Sequence, residues 1–116
     1  MRVLAVPFAI LLLSACTTPG ETCDATESAA VAIVRAATSA DQPCTVDEDC
    51  EAVAVAGSCF DACSDVIAVA NHDAYTAAIA QAEADVCVDY GGCTLIAPPC
   101  MASNPVCGTD GMCTDG

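Results

Sequence analysis

The segment Cys44-Thr45-Val46-Asp47-Glu48-Asp49-Cys50-Glu51-Ala52-Val53-Ala54-Val55-Ala56 carries the reading on which the fold turns. Two cysteines enclose an acidic loop. After the second, β-branched Val53 and Val55 alternate with alanine until Gly57 stops the run, the pattern of a strand over 51–56. Residues 57–64 then read as a Cys-bearing turn. Val66, Ile67 and Val69 suit either a strand or the start of a helix, and 66–70 is taken as a short extended piece.

On the C-terminal side, Asn71 is a good N-cap and Asp73 suits the positive end of a helix dipole. Ala74, Tyr75, Ala77, Ala78, Ile79, Ala82 and Val86 follow at helical spacing, predicting a helix from His72 to Asp85. Gly91-Gly92 marks a turn, 94–97 reads as a strand, and Pro98-Pro99 ends it. Residues 101–107 and 112–114 read as a closing hairpin around Thr109-Asp110-Gly111. On the N-terminal side, 24–38 reads as a helix, with Asp24 as N-cap and Glu27 completing a capping-box-like pair. Its expected apolar stripe is Ala25, Ala29, Ala32, Ile33, Ala36 and Ala37; Asp41-Gln42-Pro43 ends it, and Cys23 and Cys44 anchor its two ends. The sum is an α+β, small disulfide-rich domain: a short antiparallel sheet with helices packed on one face.

Large core residues are scarce. Trp is absent, and Phe60, Tyr75 and Tyr90 are the aromatics beyond the first 16 residues. A core of Ala and Val contributes little at about 25 cal/mol per Å², so disulfides are the expected remedy. The charge is one-sided. All 16 carboxylates lie beyond residue 16, where Arg35 and His72 are the basic side chains, giving that part a net charge near −15. Such a surface repels nucleic acid and anionic headgroups. It suits a cationic ligand, a divalent cation or solubility alone.

The chain opens Met1-Arg2 and runs apolar over 3–13 apart from Pro7. A positive start with an apolar run of about 7–15 residues describes a secretory signal, and the run falls short of the roughly 20 residues a membrane-spanning helix needs. Leu13-Ser14-Ala15-Cys16 resembles the lipobox of bacterial lipoprotein precursors. That resemblance implies a signal peptide over 1–15, removed on maturation, with diacylglycerol on the Cys16 thiol and an acyl chain such as palmitate on the new amino group. It also implies a cell-envelope location with the membrane as partner. Thr17, standing where Asp would imply inner-membrane retention, points to the outer membrane. Residues 16–22 become the lipidated Cys and tether, and 23–116 a single Cys-rich domain.

Cysteine arithmetic agrees. Setting Cys16 aside from the 11 cysteines leaves ten, an even number: Cys23, Cys44, Cys50, Cys59, Cys63, Cys87, Cys93, Cys100, Cys107 and Cys113. Their pairing is not readable from the sequence. Cys44 to Cys50, then Cys59 and Cys63, Asn71 before an Ala-rich helix, Cys87 and Cys93, Pro98-Pro99 and Cys107 to Cys113 together resemble Cys-rich exported proteins of myxobacteria and related bacteria. The resemblance spans 44–113. It implies export and a disulfide-rich fold, and supplies no catalytic residue.

Chemistry-bearing patterns are few. Zinc sites favour Cys ligands two to four residues apart, whereas five residues separate Cys44 from Cys50, Cys87 from Cys93 and Cys107 from Cys113. No Cys-x-x-Cys is present, which disfavours a thioredoxin-like role. Asp47, Glu48 and Asp49, with Asp61 and Asp65, are hard oxygen donors of the kind calcium takes, without an EF-hand pattern. His72 adjoins Asp73, but neighbours on a helix point about 100° apart, and no nucleophile motif accompanies them. The expectation is therefore no catalytic residue, metal site or cofactor. The chain reads as a cell-envelope lipoprotein acting as a non-enzymatic binding or structural module. Its partner would be an envelope protein or a cationic ligand, met through loops 45–49, 57–62 and 98–105. Alternatives are a protease inhibitor presenting Ala97-Pro98-Pro99-Cys100-Met101-Ala102, a calcium-binding envelope protein, or an envelope enzyme.

Overall fold

The computed structural model describes residues 19–89, 95–96 and 98–116. Two helices, α1 (Pro19–Thr38) and α2 (His72–Asp85), pack against a hairpin of β1 (Cys50–Ala56) and β2 (Asp61–Ala68). A second hairpin, β3 (Pro105–Cys107) with β4 (Cys113–Asp115), packs on β2 and β1. The fold is α+β and disulfide-rich, with two short antiparallel sheets.

The β1–β2 register explains how the hairpin serves both neighbours. Val53 pairs with Asp65 and Glu51 with Ile67, so these four share the face on which the helices lie. Cys50, Ala52 and Ala54 pair with Ala68, Val66 and Ser64 on the opposite face. There Cys50 bonds to Cys113, and the Ser64 and Ser103 hydroxyls meet at 2.7 Å. The alternation of Val53 and Val55 with alanine is thus the signature of a strand with one core face.

The core is small. Ala30 and Val34 of α1 meet Ala82 of α2, Val55, Cys59, Phe60 and Cys87. Phe60 is the largest fully buried side chain, and it sits in the β1–β2 turn rather than in a strand. That turn folds inward. Gly57 N donates to Phe60 O at 2.8 Å, and the Cys59–Cys87 disulfide ties the loop to the segment after α2. A Cβ on Gly57 would lie 2.4 Å from Glu83 Oε1 and 2.5 Å from Phe60 Cε1, so the close approach of loop and helix requires glycine.

Several expectations change. Helix α1 starts at Pro19, inside the expected tether and five residues before Asp24. Pro is pre-organised for a first helical position. Asp24 is therefore no N-cap, Cys23 lies within the helix, and Glu27 reaches across to Asp61 N at 3.4 Å rather than closing a capping box. The buried stripe of α1 is Ala30, Val34 and Thr38, whereas Ala25, Ala29, Ala32 and Ala36 are exposed. Alanine is small enough to suit either face, so the branched Val34 decides the orientation.

Helix α2 matches its expected bounds, and Ala78 and Ala82 are buried as expected, but Ala74 and Ala77 are exposed. Asn71 makes no side-chain cap; its amide bonds to Asp41 O and Gln42 Oε1 instead. Strand β2 starts at Asp61, inside the expected turn, because a bulge lies between the Ala54 and Ala56 pairings and absorbs an extra residue at Cys63, where φ is +69°. Of the strand expected over 94–97, Leu95 and Ile96 are not in a strand and the other two lie outside the described residues, as do Gly91-Gly92. A closing hairpin forms, with Gly111 at φ +78° completing its turn, but its strands are Pro105–Cys107 and Cys113–Asp115, and 101–104, expected in the first strand, lies outside it. No described helix is long and apolar enough to cross a membrane.

Candidate functional site

Four disulfides have both halves described: Cys44–Cys107, Cys50–Cys113, Cys59–Cys87 and Cys63–Cys100. Cys23 is also disulfide-bonded. Cys16 and Cys93 lie outside the described residues. The repeated spacing of Cys44 to Cys50 and Cys107 to Cys113 now has a geometric meaning. The two segments lie side by side and are joined at both ends, Cys44 to Cys107 and Cys50 to Cys113. Sulfurs of Cys44, Cys50 and Cys113 come within 4.8 Å of one another, but all three are oxidised and offer no thiolate to a metal.

The carboxylates considered for calcium do not converge. Asp47 Oδ1 accepts from Cys107 N at 2.8 Å, clasping the acidic loop to β3. Asp49 Oδ2 accepts from Thr45 N at 2.9 Å and Val46 N at 3.2 Å, and those backbone donors hold its carboxyl below the usual carboxylate range. Asp61 Oδ1 accepts from Cys63 N at 3.3 Å beside the bulge. Asp65 Oδ2 accepts from Thr38 Oγ1 at 2.6 Å and lies 4.0 Å from Arg35 Nε. The acidic loop is thus a self-capped turn rather than a preformed cage, among the described residues.

His72 and Asp73 are both exposed, and the His72 ring turns to Glu51. Its Nδ1 lies 2.5 Å from Glu51 Oε1 across the helix–strand junction, and its ring meets Tyr75 edge-on at 5.8 Å. The Tyr75 hydroxyl donates to Ala54 O. Burial, and then the Glu51 charge, push the Tyr75 phenol up from its ordinary value. The three side chains fasten α2 to β1.

A cleft that was not legible in the sequence lies elsewhere. It encloses about 420 Å³ between the end of α1 (Arg35, Thr38 and Ser39), β2 (Ser64 to Val66) and the C-terminal hairpin region, where Ser103 and Asp115 face it. Arg35, the one guanidinium beyond residue 16, stands on its wall beside Asp65. Hydroxyls and two carboxylates supply the remaining polarity, which suits hydrogen bonding to a small polar solute. A second groove of about 520 Å³ runs over Pro43 to Thr45, Asp49 and Ala68 to Ala70. Thus the expected contact loop 45–49 borders a groove, whereas in 57–62 Cys59 and Phe60 are buried in the core and Ser58 is exposed. In the third loop, Met101 is 90% exposed.

No protein-family model, curated protein or solved structure matches the chain.

Proposed function

We propose that the chain is a cell-envelope lipoprotein, held at the outer membrane through a lipid on Cys16, whose Cys-braced domain is a non-enzymatic binding or structural module. One observation carries the reading furthest. Every described cysteine is disulfide-bonded, as expected of a domain that matures in an oxidising compartment. With Cys16 set aside for the lipid, the ten other cysteines are an even number and can all pair. The polar cleft around Arg35 and the groove beside the acidic loop supply surfaces for contact.

The test is mass spectrometry of the protein isolated from its native envelope. The expected N-terminus is a Cys16 carrying diacylglycerol and acyl groups, and Cys16→Ala is expected to move the protein out of the membrane fraction. An unmodified Cys16 in a membrane-free protein overturns the proposal.

A protease inhibitor is the second reading. Met101 stands almost fully exposed beside Cys100, whose bond to Cys63 holds the segment on β2, with the Ser103–Ser64 hydrogen bond just beyond. A rigid, projecting side chain braced by a disulfide suits a protease cleft. Inhibition of a serine protease that accepts Met, lost in Met101→Asp, supports it; uniform inactivity across serine and metalloproteases discards it.

A further inference from the structure

We propose that Cys63–Cys100 is an exchangeable disulfide, opened by an external dithiol while the other described bonds stay closed. Two independent features single it out. The first is backbone conformation: Cys63 has φ +69°, the one described non-glycine residue in the left-handed region. A side chain is disfavoured there, and a non-glycine residue stays only when its surroundings over-determine it. Here the surroundings are the bulge in β2 and the bond to Cys100. Opening the bond removes one of the two constraints.

The second feature is access. Cys100 is exposed, whereas Cys59 and Cys87 are buried, Cys50 is buried with a half-buried partner in Cys113, and Cys44 and Cys107 are both half-buried. Exchange requires a thiolate to reach a sulfur in line with the bond it breaks. Of the four fully described bonds, this one presents an exposed half-cystine, on a segment from 98 to 104 that lies outside helix and strand. Of the others, Cys50–Cys113 joins β1 to β4, Cys59–Cys87 ties the β1–β2 turn to the segment after α2, and Cys44–Cys107 fastens the start of the acidic loop to β3, each with no exposed half-cystine.

The chemistry balances with a dithiol as reductant. A thiolate of the dithiol attacks Cys100 Sγ, forming a mixed disulfide, and Cys63 Sγ leaves with the bonding pair and takes up a proton. The second thiol of the reductant then attacks its own sulfur in the mixed disulfide. Cys100 leaves as a thiolate and is protonated, and the dithiol departs as a cyclic disulfide. Two electrons and two protons pass to the protein.

The position gives the exchange a consequence. Ser64 follows Cys63 directly and Ser103 lies just beyond Cys100; both line the Arg35 cleft, and their hydroxyls are hydrogen-bonded. The bond therefore helps hold a wall of that cleft. The inference concerns the domain alone and stands whether or not Cys16 is lipidated.

The test is graded reduction of the oxidised full chain with dithiothreitol, trapping of free thiols by alkylation, and peptide mass spectrometry. Cys63 and Cys100 are expected to label together on the order of tenfold faster than any other described pair, with the far-ultraviolet circular dichroism unchanged. Label appearing first on another pair, or on all pairs together with loss of structure, overturns the proposal. The double variant Cys63→Gly with Cys100→Ala is expected to fold, since glycine suits the left-handed position, and to remain unlabelled at the same dithiothreitol concentration. Its failure to fold assigns the bond to the scaffold and overturns the proposal as well.

Discussion

Asn71 Nδ2 donates to Gln42 Oε1 at 2.9 Å, and the same oxygen accepts the buried Ala68 N–H at 2.8 Å. On its other side, Gln42 Nε2 donates to Ala37 O at 3.2 Å and Thr38 O at 3.3 Å, capping carbonyls at the end of α1. One buried amide therefore joins the end of α1, the end of β2 and the start of α2. Replacing Gln42 by Ala leaves the Ala68 donor buried without its acceptor. The expected loss is about 2–4 kcal/mol, with Asn71→Ala losing about 1 kcal/mol. Urea denaturation of the oxidised variants measures both, and equal effects would contradict the central role of Gln42.

Gly57→Ala tests the inward-folded turn. The new Cβ would collide with Glu83 Oε1 and the Phe60 ring. Overpacking of this kind costs about 1–3 kcal/mol. Fluorescence is weak in a Trp-free chain, so circular dichroism should follow the unfolding. An unchanged midpoint would contradict the close packing.

Acid is expected to weaken the fold through Glu83 and Asp49. Both Ser58 hydroxyl and Ser58 N–H donate to the Glu83 carboxylate, and these bonds hold its carboxyl below the usual range. The backbone N–H groups of Thr45 and Val46 do the same for Asp49. A carboxyl with a lowered folded pKa contributes stability above its unfolded pKa, and that contribution disappears as the pH falls through the folded value. Glu83→Gln and Asp49→Asn should each flatten the acid limb of a stability–pH curve while changing little on the alkaline side. Both carboxylates are solvent-exposed, so each effect should be modest.

The paired disulfides Cys44–Cys107 and Cys50–Cys113 should be strongly non-additive. Each spans a sequence separation of 63 residues. Taken alone, a loop of that length corresponds to about 4 kcal/mol of lost unfolded-state entropy. The two bonds close nearly the same loop, so once one is present the second restricts the unfolded chain much less. Removing either pair by Cys→Ala substitution should lose less than the single-loop figure, and removing both should lose more than the sum of the two. A double-mutant cycle in denaturant measures the coupling; additive losses would contradict it.

Complete reduction should unfold the domain. The fully buried side chains are led by Phe60, Ile67, Val34 and Val55, a thin core for its length. A cooperative thermal transition surviving in excess reductant would contradict this expectation.

Elements with strong local signals were legible. The Val–Ala alternation before Gly57 marked β1, the helical spacing from Ala74 to Val86 marked α2, and Thr109-Asp110-Gly111 marked the last turn, since Gly111 occupies the left-handed position that turn requires. The face of α1 was not legible, because a stripe of alanines has no preferred side until larger residues dock. The bulge at Cys63 was hidden as well: nothing in Asp61-Ala62-Cys63-Ser64 announces that one residue will be squeezed out of register. The Arg35 cleft gathers residues from three distant segments, and no local pattern encodes that meeting.

The sequence by itself determined the class of molecule: an acidic chain with too little apolar bulk for a large core, an even set of cysteines once Cys16 is set aside, and local signals sufficient for a strand, two helices and a closing hairpin. Composition and short-range periodicity decide such properties. Tertiary structure alone decided which cysteines pair, why Gln42 is buried, where Arg35 finds its cleft and which disulfide stands exposed on a strained backbone. Each depends on the juxtaposition of residues far apart in the chain, and that is settled only when the helices and hairpins pack.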